Sequence, residues 1–165
     1  TFGMAMSLVT DACMKAWSPW VYRLLARGDD ESRHRIVRSG YAMAALFIAG
    51  GFAVALGSRT LLEITMPPAY QGAAGFVAWV TLAYAIRGLY QIFFPMIVHA
   101  RATALLAGNA FVVVTVNLSL NFLLIRWFGA IGGAYATVAA FTVSAWLAYR
   151  QQQRVHPMPW FGARS

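Results

Sequence analysis

The chain has 165 residues, of which 60% are hydrophobic and only 11% charged, with a formal net charge of +8 and a mean hydropathy of +0.60. A soluble domain carries about 25% charged residues, so this composition argues against a soluble enzyme or a nucleic-acid-binding domain. The apolar residues come in blocks of about twenty, the length that crosses a hydrocarbon core about 30 Å thick. The expectation is an all-α fold, a polytopic membrane bundle of five transmembrane helices.

The first apolar segment covers residues 2–25 and runs into the charged stretch Arg27–Arg35, expected as a loop. It carries Asp11 and Lys15, each costing about 2.5–3.5 kcal/mol at the bilayer centre, so it is a poor lone spanner. The two stand four apart with the acid first, the favourable order for a helical ion pair. They either neutralise one another, or Asp11 binds a coupling ion and Lys15 faces an anionic substrate. Pro19 is a kink or a helix end.

The second segment covers residues 36–57, with Ala45, Ala49, Ala53 and Gly57 at every fourth position. Small residues at that spacing let transmembrane helices approach closely. A connection through Met66-Pro67-Pro68-Ala69-Tyr70 leads to the third segment, residues 73–100, with Arg87 near its middle and Pro95 near its end. Arg87 has no carboxylate within a turn of its own helix, so its partner comes from another helix or from a substrate. Its guanidinium fork suits phosphate oxygens.

The fourth segment, residues 103–125, ends in Asn117-Leu118-Ser119-Leu120-Asn121 and the edge Arg126-Trp127. After a glycine-rich turn at Gly129, the fifth covers residues 131–149, where Gly132, Ala136, Ala140, Ser144 and Ala148 form a second small-residue ridge. Both asparagines are expected to hydrogen-bond to a neighbouring helix. Residues 151–165 are expected as a polar cytoplasmic tail.

Arg23, Arg27, Arg33, Arg35, Arg38, Arg101, Arg150, Arg154 and Arg164 fall on one side of this topology, and Arg59 and Arg126 on the other. Positive residues mark the cytoplasmic side, which makes the C-terminus cytoplasmic and accounts for the net charge without nucleic acid. Trp17, Trp20, Tyr22, Trp146 and Tyr149 fit an interfacial aromatic belt. His34, His99 and His156 are far apart and Cys13 is the single cysteine, so no metal site is expected. The chain opens mid-helix at Thr1 without a leader, as a portion of a longer protein would.

The asparagine pair, followed by Phe128-Gly129-Ala130-Ile131-Gly132-Gly133-Ala134-Tyr135-Ala136-Thr137, resembles the penultimate hairpin of polysaccharide flippases. These are the Wzx-type members of the multidrug/oligosaccharidyl-lipid/polysaccharide superfamily. Pro19 with its following charged loop, and "LLEITMPPAYQGAAGF", resemble the middle and the external connection of the same family's second half. Gly133 stands where the family has alanine. The resemblance implies that residues 1–150 are the C-terminal lobe of a roughly twelve-helix bacterial inner-membrane transporter. It further implies a lipid-linked oligosaccharide substrate moved by alternating access. Independently of the resemblance, the depth of Lys15 and Arg87 in their spans and the scarcity of acids make them the expected contacts of a phosphate-bearing head group, with Asp11 the candidate for a coupling ion. The implied partners are the N-terminal lobe of the same protein, membrane lipids, a polysaccharide polymerase and a chain-length regulator. No bond is made or broken, so neither enzymatic activity nor a cofactor is expected. A cation-coupled multidrug exporter of the same superfamily is the alternative.

Overall fold

A computed structural model describes residues 2–65 and 74–161. Five helices follow one another: α1 (Phe2–Arg27), α2 (Asp30–Thr65), α3 (Ala74–His99), α4 (Thr103–Phe128) and α5 (Ala130–Val155). No strand occurs among the described residues. The expected connection at Met66–Tyr70, and Arg164, lie outside them.

Four of these helices are long and apolar enough to cross a membrane, over Asp30–Gly57, Gly75–His99, Thr103–Phe128 and Ala130–Val155. At 1.5 Å per residue, a helix of this length covers a core about 30 Å thick. The chain is a multi-pass helical membrane bundle. α1 is not among the four, because its charged residues lower its hydropathy, in keeping with its expected weakness as a lone spanner. The outer face of α4 fits a lipid-facing surface: Phe111, Leu118 and Phe122 are each well over half exposed.

Three helix boundaries differ from expectation. α2 begins at Asp30, so most of the charged "loop" is its first turns. Acids at Asp30 and Glu31 complement the helix dipole, and Arg35 pairs with Glu31 at 2.8 Å. α2 also continues through Gly57 to Thr65, and α5 continues past Tyr149 to Val155. Pro19 and Pro95 lie inside α1 and α3 and end neither helix.

Successive helices run antiparallel, so the ends of α1, α3 and α5 meet the starts of α2 and α4. Tyr22 near the end of α1 stacks on His99 at the end of α3, which stacks on His156 just past α5. This is the arginine-rich end. α3 is the hub, in contact with every other helix. Met14, Trp17, Val21, Ile36, Phe47, Ile92 and Met96 form the core shared by α1, α2 and α3. Trp17 is thus a core residue, not part of an interfacial belt. Trp146 is exposed, with the Arg150 guanidinium 5.4 Å from its ring centre.

The ridge on α5 lies in the interior as expected: Gly132, Ala136, Ala140, Ser144 and Ala148 are all buried. The ridge expected on α2 is not, since Ala45, Ala49 and Ala53 face outward. α2 instead meets α3 through Phe47 and Gly51, where a Cβ on Gly51 would lie 2.5 Å from that of Ala85. A fourfold spacing of small residues recurs on more than one face, and the larger Phe47 fixes which face turns inward.

The α4–α5 turn is a single residue. Gly129 takes φ 65° and ψ −149°, a region closed to residues with a side chain. A Cβ on Gly132 would collide with the Leu124 carbonyl oxygen and approach the Ile125 nitrogen to 2.7 Å. These two glycines therefore permit the short turn and the close return.

Candidate functional site

Between α1 and α3 lies an open cavity of about 440 Å³, lined by Asp11, Met14, Lys15, Ser18 and Pro19 from α1 and by Arg87, Tyr90, Gln91 and Phe94 from α3. Asp11, Lys15 and Arg87, singled out from sequence, all reach it. Arg87 lies midway along the span Gly75–His99, where an unpaired charge is most costly. Its neighbour Gly88 brings three helices together. A Cβ there would meet the Phe47 ring of α2 at 2.6 Å and the Thr10 methyl of α1 at 3.1 Å. That junction fixes the backbone from which Arg87 reaches into the cavity.

Asp11 pairs across the interface and not along its own helix. Its Oδ1 lies 3.9 Å from an Arg87 guanidinium nitrogen and accepts a 2.6 Å hydrogen bond from the Gln91 Nε2 group. No ion pair joins it to Lys15 among the described residues. Of the two readings left open for Asp11 and Lys15, mutual pairing is not adopted: Asp11 turns to α3, where both Arg87 and Gln91 offer donors. Lys15 is exposed, so its ammonium reaches the cavity without a carboxylate fixing it. The Asp11–Arg87 contact is long, and the two side chains are 44% and 34% exposed. Such a pair is worth about 0–1 kcal/mol; it restrains Arg87 without sequestering it.

The Gln91 Oε1 atom is buried without a hydrogen-bond partner. Pro19 and Pro95 remove the N–H groups that would bond the carbonyls one turn earlier, which belong to Lys15 and Gln91. Tyr90 and Phe94 stand edge to face at 6.2 Å and supply aromatic surface. Gln91, Tyr90, Phe94 and Ser18 escaped the sequence reading, although three and four residues from Arg87 is the helical spacing that shares a face.

The asparagines behave differently from expectation. Asn121 Nδ2 donates to the backbone oxygen and the side-chain Oδ1 of Asn117, both at 2.9 Å. The pair thus bonds within α4, since Asn121 finds acceptors one turn back on its own helix. A Cβ on Gly133 would come within 3.1 Å of Asn121 Oδ1, so the amide is a packing surface for α5. The amide that crosses the interface is Asn109, which donates to the Ser144 carbonyl and accepts from the Ser144 hydroxyl, both at 3.2 Å. Asn109 lies on the same fourfold stripe as Asn117 and Asn121, and that spacing was its signal.

Among the described residues no group of His, Cys, Asp and Glu side chains could hold a metal ion. No protein-family model, curated protein or solved structure matches the chain.

Proposed function

We propose that the chain forms the C-terminal lobe of a flippase that carries polyprenyl-pyrophosphate-linked oligosaccharide from the cytoplasmic to the external leaflet of a bacterial inner membrane. The reading takes its substrate class from the family resemblance. The observation that carries it is Arg87, at the middle of a span and about a third exposed, in a cavity it shares with Lys15. An inert bundle would bury such a charge against a close carboxylate or lack it.

The two cations suit pyrophosphate oxygens. The Ser18 hydroxyl, which lines the cavity, can bond a sugar hydroxyl, and the rings of Tyr90 and Phe94 offer an apolar face to a sugar. Asp11 holds Arg87 until phosphate oxygens compete for it. Protonation or binding of a coupling ion at Asp11 has the same effect, which links the carboxylate to turnover. Transport proceeds by alternating access between this lobe and the N-terminal lobe, beside a polymerase and a chain-length regulator. The arginine-rich end, and with it the C-terminus, faces the cytoplasm. No bond is made or broken.

The test uses the complete gene in its host. Deletion is expected to cause lipid-linked oligosaccharide to accumulate while surface polysaccharide is lost. Restoration with Arg87→Ala at normal expression is expected to leave that accumulation in place. Normal transport by Arg87→Ala would remove Arg87 from the mechanism. Unchanged glycan with raised sensitivity to cationic drugs would assign the chain to cation-coupled drug export instead.

A further inference from the structure

α2 and α5 both lie against α3, and among the described residues no Cα atom of one comes within 8 Å of a Cα atom of the other. At the arginine-rich end the gap between them is filled by residues 156–161, which follow α5 as a strap. Met158 and Trp160 are buried in the core. The Trp160 ring lies where Gly40 of α2 lacks a Cβ, which would sit 2.7 Å from it, and packs edge-on against Phe93 of α3 at 5.2 Å.

Two glutamines of α5 stitch the strap down. Gln152, fully buried, accepts a 2.8 Å bond from the Trp160 indole N–H. Gln153 bonds both the carbonyl and the N–H of Met158. On the other side the Tyr41 hydroxyl of α2 donates to the Trp160 carbonyl. The strap therefore joins two helices that are otherwise apart.

His156 is the strap's root. Its ring stacks on His99 of α3 at 6.4 Å, and His99 stacks in turn on Tyr22 of α1 at 6.4 Å. Arg33 of α2 adds a third basic group near the pair, itself 3.7 Å from Asp30. Partial burial first, then the charges of Arg33 and His99, hold His156 below the ordinary histidine value of 6.5.

We propose that residues 156–161 are a proton-released latch, docked between α2 and α5 while His156 is neutral and freed when His156 becomes cationic beside Arg33 and against the His99 ring. The sign follows from linkage. A group whose docked pKa lies below its free value contributes fully above the free value, and that contribution is lost as pH falls below it. The strap meets α3 through Phe93, which does not line the cavity, so the latch stands or falls independently of what the cavity carries.

The experiment uses the complete protein in lipid nanodiscs with Cys13→Ser and a spin label on Phe161→Cys, an exposed position next to Trp160. Label mobility is recorded from about pH 8 to about pH 5, spanning histidine titration. The label is expected to be immobile at the upper end and severalfold more mobile at the lower. His156→Gln should stay immobile throughout, and Gly40→Val, which fills the Trp160 seat from α2, should be mobile at every pH. A pH response that survives His156→Gln, or no response at all, overturns the proton release. An immobile label in Gly40→Val overturns the docking itself.

Discussion

In the α4–α5 hairpin, backbone meets backbone across Gly132, and the buried amide of Asn109 is answered by both polar atoms of Ser144. Across the α1–α3 contact the polar groups are larger and charged, the ion pair stretches to 3.9 Å, and a cavity separates the helices. Both interfaces lie in helices poor in charge, yet one has closed over its polar atoms and the other has left them room. Small residues with matched hydrogen bonds hold transmembrane helices together without a hydrophobic driving force. Charges left half-exposed at mid-span contribute little to that adhesion, so their place in the fold is better explained by what enters the cavity.

The largest effect should come from filling the tight interface. Gly132→Val puts side-chain atoms against the Leu124 carbonyl, and overpacking of this kind costs about 3 kcal/mol or more where backbone is the obstacle. Thermal melting in detergent should show a large loss of folded protein, whereas an unchanged melting temperature would mean that the hairpin is looser than described. Asn109→Ala removes both cross-helix bonds and should cost about 1–2 kcal/mol, with Ser144→Ala adding little more once Asn109 is gone. Additive losses in that double-mutant cycle would break the pairing.

Asp11→Asn sharpens the contrast from the other side. Its stability should stay within about 1 kcal/mol of the parent, while the proposed oligosaccharide translocation, measured in reconstituted vesicles, should change severalfold in rate because Arg87 loses its charged restraint. A large fall in stability with unaltered transport would make the pair structural. The smallest effect belongs to Asp29, at the arginine-rich end outside the spans. Its carboxylate lies below the usual aspartate value chiefly because the Ser32 hydroxyl donates to it, with Ser32 and Asp29 backbone bonds helping. A depressed pKa contributes stability above the free value near 3.8, lost as pH falls through the lower folded one. Ser32→Ala should raise the pH at which the start of α2 loses amide-exchange protection.

The spans were readable because hydropathy over about twenty residues has one physical cause, the thickness of the hydrocarbon core. Asp11, Lys15 and Arg87 were readable for the same reason, as the charges that such a core penalises. Partners were harder. Asp11 was free to meet Lys15 one turn away or Arg87 on α3, and only the crossing at Gly88 decides between them. The ends of α2 and α5 were read too short because polarity was taken for loop. Yet Asp30 and Glu31 ahead of Arg33 and Arg35 are a helix start. The run Gln151-Gln152-Gln153 holds the termini together, with Gln151 bonding the Leu105 carbonyl of α4 at 3.1 Å and its two neighbours holding the strap. Three identical letters in a polar stretch carry no sign of pointing in three directions.

The contact between Asp11 and Arg87 also bears on how the protein is made. The whole of α2 is synthesised between them, so α1 emerges from the ribosome with a carboxylate and an ammonium, each costing about 2.5–3.5 kcal/mol at the bilayer centre on insertion scales. The Arg87 guanidinium that Asp11 meets in the folded chain does not yet exist. The stable placement of α1 is therefore expected to depend on the arrival of α3, which brings Arg87 and Gln91 to Asp11. Nascent chains arrested before and after Arg87 should therefore differ in whether α1 is protected from aqueous labelling, which makes the order of synthesis part of the fold.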